Sequence, residues 1–196
     1  MIMSAGNTKG QILTIAREIL ASDGLAALSF DAIARRLGRT KQTVLYWYPT
    51  KQALLAALFV PWLEAEADIA AQAVSSAPSR DEAIGAFVRA LADYHLGDLD
   101  RFRLMYLLPQ TIPQGAAQIS SGDLLEKVHP VTDRMYGALA GKLGAEPVTA
   151  RREAVAIHAA LLGLVLMLGL SDRINDPLKH ATSDLVDALI ARLTSG

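Results

Sequence analysis

The segment from Ser29 to Lys51 reads SFDAIARRLGRTKQTVLYWYPTK, and its spacing decides the fold. Phe30, Ile33, Ala34 and Leu37 recur at i, i+3, i+4 and i+7, which puts one apolar stripe on a short helix. Ser29 stands just before that helix as an N-cap, and Asp31 places negative charge in its first turn. Leu37-Gly38-Arg39 is a tight turn. A second helical pattern opens at Thr40, carries Val44 and Tyr48 four residues apart, and ends before Pro49, whose ring excludes helical dihedrals from the preceding residue.

Two short helices around a glycine turn form the helix-turn-helix pattern, whose second helix enters a DNA major groove. Each residue advances about 100° around the axis. With Val44 and Tyr48 turned inward, Gln42 and Tyr46 point away from the core, and Thr43 and Leu45 flank that outward face. Lys41 lies further round, and Thr40 reaches out from the open N-terminus. An amide, a phenol, hydroxyls and an ammonium suit a groove floor and its phosphate walls. Spacing alone also allows a plain amphipathic helix with a solvated face.

The charge distribution favours the first reading. Net charge is −1 over 196 residues, but up to residue 55 there are seven basic residues against three acidic, a net of +4. The remainder carries −5. A basic N-terminal part on an acidic body is the electrostatic arrangement of a DNA reader. Upstream, Ile12, Ala16, Ile19 and Leu20 form a helical stripe that Gly24 terminates, giving a third helix to cover the other two. Three short helices are marginal alone and need the body beneath them.

From about Gln11 to about Leu58 the chain resembles the N-terminal domain of the tetracycline-repressor (TetR) family of bacterial transcription regulators. The resemblance rests on ILTIAREILASDG, on Ser29, on Ile33-Ala34 and Leu37-Gly38, and on Tyr48-Pro49-Thr50-Lys51 leading into ALLAAL. It covers roughly a quarter of the chain. It implies that Ser29 and Lys51 hold phosphates while Thr40, Lys41, Gln42 and Thr43 approach bases or backbone. Leu45 stands where the family usually has a phosphate-contacting Tyr, and the tyrosine comes one residue later, at Tyr46. Trp47 stands where the family often has His. With Arg39, the expected DNA-contacting set is Ser29, Arg39, Thr40, Lys41, Gln42, Thr43, Tyr46, Trp47 and Lys51.

The rest of the chain reads as helices. Lys51 to about Val74 is one long helix interrupted by Pro61, with Glu64, Glu66 and Asp68 expected on a solvated face. Arg80 to Leu96 and Asp98 to Leu108 follow. Residues 109–122 make the longest structureless run. Asp123 to about Leu143 resumes helical spacing, and Pro147 opens the next helix. Ala154 to Leu170 is about 17 apolar residues broken only by His158, short of the roughly 20 a membrane span needs. A helix apolar all round must be covered on every side. The last helix, Ala181 to Leu193, cannot do that alone, so a second copy is expected in a four-helix seam. Leu161, Leu164, Val165, Leu168, Leu185 and Leu189 are the expected interface, and the resemblance also implies dimerisation through the last two long helices.

Composition excludes other chemistries. Cysteine is absent, which removes disulfides, thiolate metal sites and cysteine nucleophiles. The N-terminus has no apolar secretory core. No Gly-rich phosphate loop, H-E-x-x-H or nucleophile elbow occurs, so no enzyme is expected. The four histidines are far apart in sequence; no cofactor and no metal ligand set are expected. Pockets between bundle helices are mostly apolar with a few polar tips. The residues available for an effector pocket are Trp62, Tyr94, Phe102, Met105, Tyr106, His129, Met135 and His158.

The sequence therefore predicts an all-α chain of about nine helices. A three-helix DNA-binding domain, residues 1–55, stands on a helical effector-binding and dimerisation body, residues 56–196. The expected function is a ligand-responsive, cytoplasmic, dimeric transcription regulator, most often a repressor in the family it resembles. Its expected partners are a palindromic double-stranded operator, a small effector and a second copy, with no membrane. The alternative is a helical small-molecule-binding or interaction module without sequence-specific DNA binding.

Overall fold

The computed structural model describes residues 5–107, 121–174 and 180–195. Among them there are nine α-helices, one π-helical turn and no strand. The helices are α1 (Ala5–Ala27), α2 (Phe30–Leu37), α3 (Lys41–Trp47), α4 (Lys51–Ser75), α5 (Arg80–Leu96), α6 (Leu99–Phe102), α7 (Ser121–Ala140), α8 (Pro147–Ile174) and α9 (Thr182–Thr194). The chain divides into two compact units. One is Met1–Trp62 with Arg103–Leu125, the other Leu63–Phe102 with Glu126–Gly196. The expected structureless run 109–122 lies outside the described residues up to residue 120, and its last two residues open α7.

The first unit is built around α1, α2 and α3. Ile12, Ala16, Ile19, Leu20, Leu28, Ile33, Ala34, Val44, Tyr48, Leu54 and Leu58 form its buried core. The sequence-level caps account for the boundaries. Gly24 breaks α1 at φ 76°, and Ser29 Oγ accepts the Ala32 N–H at 3.1 Å to start α2. α2 ends in a Schellman turn, with the Arg39 N–H on the Ala34 carbonyl and the Gly38 N–H on the Arg35 carbonyl. Gly38 closes it at φ 66°, a left-handed conformation that side chains with a Cβ resist. Leu104, from the π turn, packs on the same core.

α4 continues through Pro61, whose ring lies on the exposed side, so the interruption expected there does not end the helix. The expected single helix over 98–108 is instead α6 followed by the π turn Arg103–Leu107, a change from i→i+4 to i→i+5 bonding. Its start agrees with the cap expected at Asp98, whose carboxylate accepts the Arg101 N–H at 2.9 Å.

In the second unit α5 packs against α8 and α9, and α8 against α9. α8 turns Ala154, Ile157, His158, Leu161, Val165 and Leu168 inward. Of the expected interface residues, Leu161, Val165 and Leu168 are buried within their own chain. Leu164, Leu185 and Leu189 are only half-buried. The large apolar residues that α8 presents outward are Val148, Val155, Leu166, Met167 and Leu170, between 42% and 55% exposed. By composition α8 is long and apolar enough to cross a membrane, and its inward stripe shows that it also serves as a bundle helix.

Two glycines test the backbone argument. Nothing lies within 4 Å of a Cβ added at Gly38 or at Gly10, so neither change meets a clash. Gly38→Ala is expected to cost about 1 kcal/mol from its positive φ. Gly10→Ala, inside α1, is expected to gain up to about 1 kcal/mol. Urea denaturation of the two variants measures both; equal signs would remove the Schellman turn as the constraint.

Candidate nucleic-acid interface

α3 is held by one side. Val44 and Tyr48 are 0% and 3% exposed, so the opposite side must face out. Tyr46 is 79% exposed at its centre, and Gln42 and Lys41 are exposed beside it. Thr43 and Leu45 flank it half-buried, as the angular reading predicts. The Tyr46 ring stands edge-on to Trp47 at 5.1 Å, and Trp47 packs its own ring partly on the core. Tyr46 is therefore steadied from below while its phenol is free to reach outward.

The polar groups around α3 are pre-arranged by local bonds. Thr40 Oγ1 and Thr43 Oγ1 lie 3.2 Å apart at the open N-terminus. Lys41 Nζ pairs with Asp31 at 2.8 Å, and Arg36 with Asp23 at 2.8 Å. Both pairs are solvent-exposed, and such pairs contribute only about 0–1 kcal/mol, so a phosphate can displace the carboxylate cheaply. Arg39 and Arg35 are exposed, with no carboxylate within 4 Å among the described residues. Ser29 spends an oxygen lone pair on its cap, leaving the hydroxyl hydrogen to donate. Lys51 is half-buried and donates to the Leu25 carbonyl at 3.3 Å. It ties the end of α1 to the start of α4, a structural duty the sequence did not indicate.

The residues expected to line an effector pocket fall in both units. Trp62, Met105 and Tyr106 belong to the first; Tyr94, Phe102, His129, Met135 and His158 belong to the second. Phe102, Met105, Met135 and His158 are buried, while Trp62, Tyr94 and Tyr106 are half-buried. His129 is exposed on α7. A groove of about 540 Å³ lies at the start of α8, lined by Pro147, Val148, Arg151, Arg152 and Val155, and none of the expected residues borders it.

Sequence reasoning missed a buried polar centre in the second unit. Glu66, placed on a solvated face by its neighbours Glu64 and Asp68, is 1% exposed. Its Oε1 lies 2.9 Å from His95 Nε2 and 3.1 Å from His158 Nε2. Burial alone would raise the Glu66 carboxyl, but hydrogen bonds from His158 and His95, together with their charge, outweigh it and hold it at about 2. His158 Nδ1 in turn meets the Tyr136 hydroxyl at 3.0 Å. Burial raises the Tyr136 and Tyr94 phenols. The signal was present: Leu58, Trp62, Glu66, Ala70 and Val74 are four apart, which puts the acid on the apolar stripe of α4. His95 falls in the same way after Ile84, Val88 and Leu91.

Comparison with known proteins bears on both units. Residues 12–58 match the family model described as bacterial regulatory proteins, tetR family. No curated protein is significantly similar in sequence. Solved structures are similar over nearly the whole chain. The transcriptional regulator FadR from Bacillus subtilis, in complex with stearoyl-CoA, shares 17% identity at a TM-score of 0.70, over 95% of this chain and 98% of that one. The TetR family transcriptional regulator PfmR from Thermus thermophilus shares 17% at 0.68, over 100% and 98%. The multidrug binding protein EbrR, complexed with imidazole, shares 20% at 0.64, over 94% and 93%. Residues 12–58 thus match the tetR-family model, and the chain as a whole has a TetR-like fold with an N-terminal helix-turn-helix.

Proposed function

We propose that this chain is a ligand-responsive, dimeric transcription regulator of the cytoplasm. It acts as a repressor on an inverted-repeat operator and is released by a small apolar or amphipathic effector. The outward face of α3 carries this reading: exposed Gln42 and Tyr46 on a helix fixed by Val44 and Tyr48, with Arg39 and Lys41 at its N-terminal end. In this arrangement Gln42 and Tyr46 reach base edges and Arg39, Lys41, Ser29, Thr40 and Lys51 hold phosphates.

Dimerisation is supported by the side of α8 that is exposed among the described residues. Val155, Leu166, Met167 and Leu170 lie exposed on a helix already packed on its other side, and a second copy offers the same surface in return. Two protomers would set their α3 helices about 34–36 Å apart, one turn of DNA. The effector reading draws support from the stearoyl-CoA and imidazole bound by the two similar structures. An effector releases the operator only if it binds one arrangement of the dimer better than the other.

Selection of bound DNA from a random pool tests the core of this reading. An inverted repeat with half-sites one turn apart is expected; no enrichment over input would overturn it. On the selected operator, Arg39→Ala should make the salt dependence of binding shallower by about one unit of slope, with similar losses on all sequences. Gln42→Ala should instead relax discrimination at one or two base positions, by about 1–3 kcal/mol each. A filter-binding salt titration against operator and scrambled DNA separates the two outcomes. Met167→Glu should yield a folded monomer by light scattering and circular dichroism; a dimer that persists would move the seam off α8.

A further inference from the structure

We propose that Glu66, His95 and His158 form a binding site for a first-row divalent transition metal ion of the zinc class, within the helical body. The three side chains come from α4, α5 and α8 and are between 0% and 3% exposed. One ligand atom from each lies within 4.8 Å of the other two. Both imidazoles aim Nε2 at the same carboxylate oxygen, at 2.9 and 3.1 Å. Donors on a tetrahedron with arms of about 2.0–2.2 Å stand about 3.4 Å apart, so the two sides that meet at Glu66, 2.9 and 3.1 Å, have to open by about 0.3–0.5 Å, and the third is within 4.8 Å.

The surroundings fit a ligand set held in place. Tyr136 contacts the far nitrogen of His158 at 3.0 Å, which fixes the ring with Nε2 toward Glu66. Metal-bound histidines are oriented in this way by a partner on the other nitrogen. Phe87 stands edge-on to His158 at 6.0 Å, and Phe102 packs edge-on to His95 at 5.4 Å, so neither ring can swing. Two imidazoles and one carboxylate suit Zn²⁺, Co²⁺, Ni²⁺ or Fe²⁺; Mg²⁺ and Ca²⁺ prefer oxygen alone.

Proton accounting is consistent. An ionised carboxylate only accepts, so in the metal-free protein each Nε2 carries the hydrogen that it donates to Glu66. On metal binding each Nε2 gives up that hydrogen, which shifts to Nδ1 of a neutral imidazole or is released to solvent from an imidazolium. Three such donors are the number that zinc sites commonly combine with one further ligand.

The test needs no DNA, so its result is independent of the regulatory reading. Chelator-stripped full-length protein is titrated with CoCl2, followed by ligand-field absorption, and then with ZnCl2 in competition. One equivalent per chain is expected, with affinity lost at least about 100-fold in His158→Gln and Glu66→Gln. Tyr136→Phe should keep the stoichiometry and weaken affinity about 10–100-fold. Replacing the exposed His129 and His180 with Gln should change nothing. A wild-type protein that takes up no stoichiometric cobalt overturns the proposal and leaves a carboxylate–imidazole network only. Uptake that survives in His158→Gln, or that is lost with His129 and His180, overturns it as well.

Discussion

A helix of seven residues does not stand alone in water, because nucleation costs more than so few bonds return. α3 is that short, and Thr40, which precedes it as N-cap, makes no side-chain hydrogen bond to the backbone. Its conformation is therefore imposed by the seating of Val44 and Tyr48 against Ile12, Ala16, Ile19, Leu28 and Ile33. The same seating fixes its rotation. Once two residues four apart are buried, Gln42 and Tyr46 have nowhere to point but outward. Folding of the three-helix core and presentation of the reading surface are one event, and loss of the core would remove the surface with it.

The body solves a different problem. From Ala154 to Leu170 α8 is apolar apart from His158, and among the described residues part of its circumference stays exposed. The inward residues Ala154, Ile157, Leu161, Val165 and Leu168 are satisfied by the bundle. Those turned away leave a stripe running from Val148 to Leu170 that water covers poorly. Burying a fully exposed side chain of that size contributes about 1.5–3 kcal/mol, and these residues, already about half buried, forgo a part of that. Charged groups do not interrupt the second half of that stripe, from Val155 onward.

Much of this was legible from residue types, because the physics that set it is local. Ser29, Gly38 and Pro147 mark helix ends through single-residue preferences for a dihedral angle or a hydrogen bond, and each stands where that preference predicts. The outward face of α3 followed from periodicity alone. What was not legible depended on which of several chemically equal surfaces meets which. Along α8 every side is apolar, so nothing in Leu161, Val165 or Leu168 distinguishes a neighbour in the same chain from one in another. Glu66 was misplaced for the opposite reason. Its acidic neighbours suggested a wet face, whereas its period with Leu58, Ala70 and Val74 was the stronger guide. Lys51 looks like a phosphate ligand in sequence, and only the fold brings the Leu25 carbonyl to it. The spacing of bulky residues over Arg103–Leu107 reads as ordinary helix, and only the structure shows the π turn there.

Glu66 poses the sharper question. Moving a carboxylate out of water costs several kcal/mol even after relaxation, and two imidazoles return that only with good geometry. Apolar residues of similar volume at the three positions would hold α4, α5 and α8 together as well or better. Stability therefore does not explain the cluster. What a carboxylate and two imidazoles offer, and Leu or Phe cannot, is a set of convergent lone pairs that distinguishes one occupant from another. In a body otherwise closed by dispersion and burial, such a centre is where a chemical signal of defined composition could enter the energy balance of the fold. A metal-free centre held by hydrogen bonds and a filled one held by coordination would differ in stiffness across three helices at once.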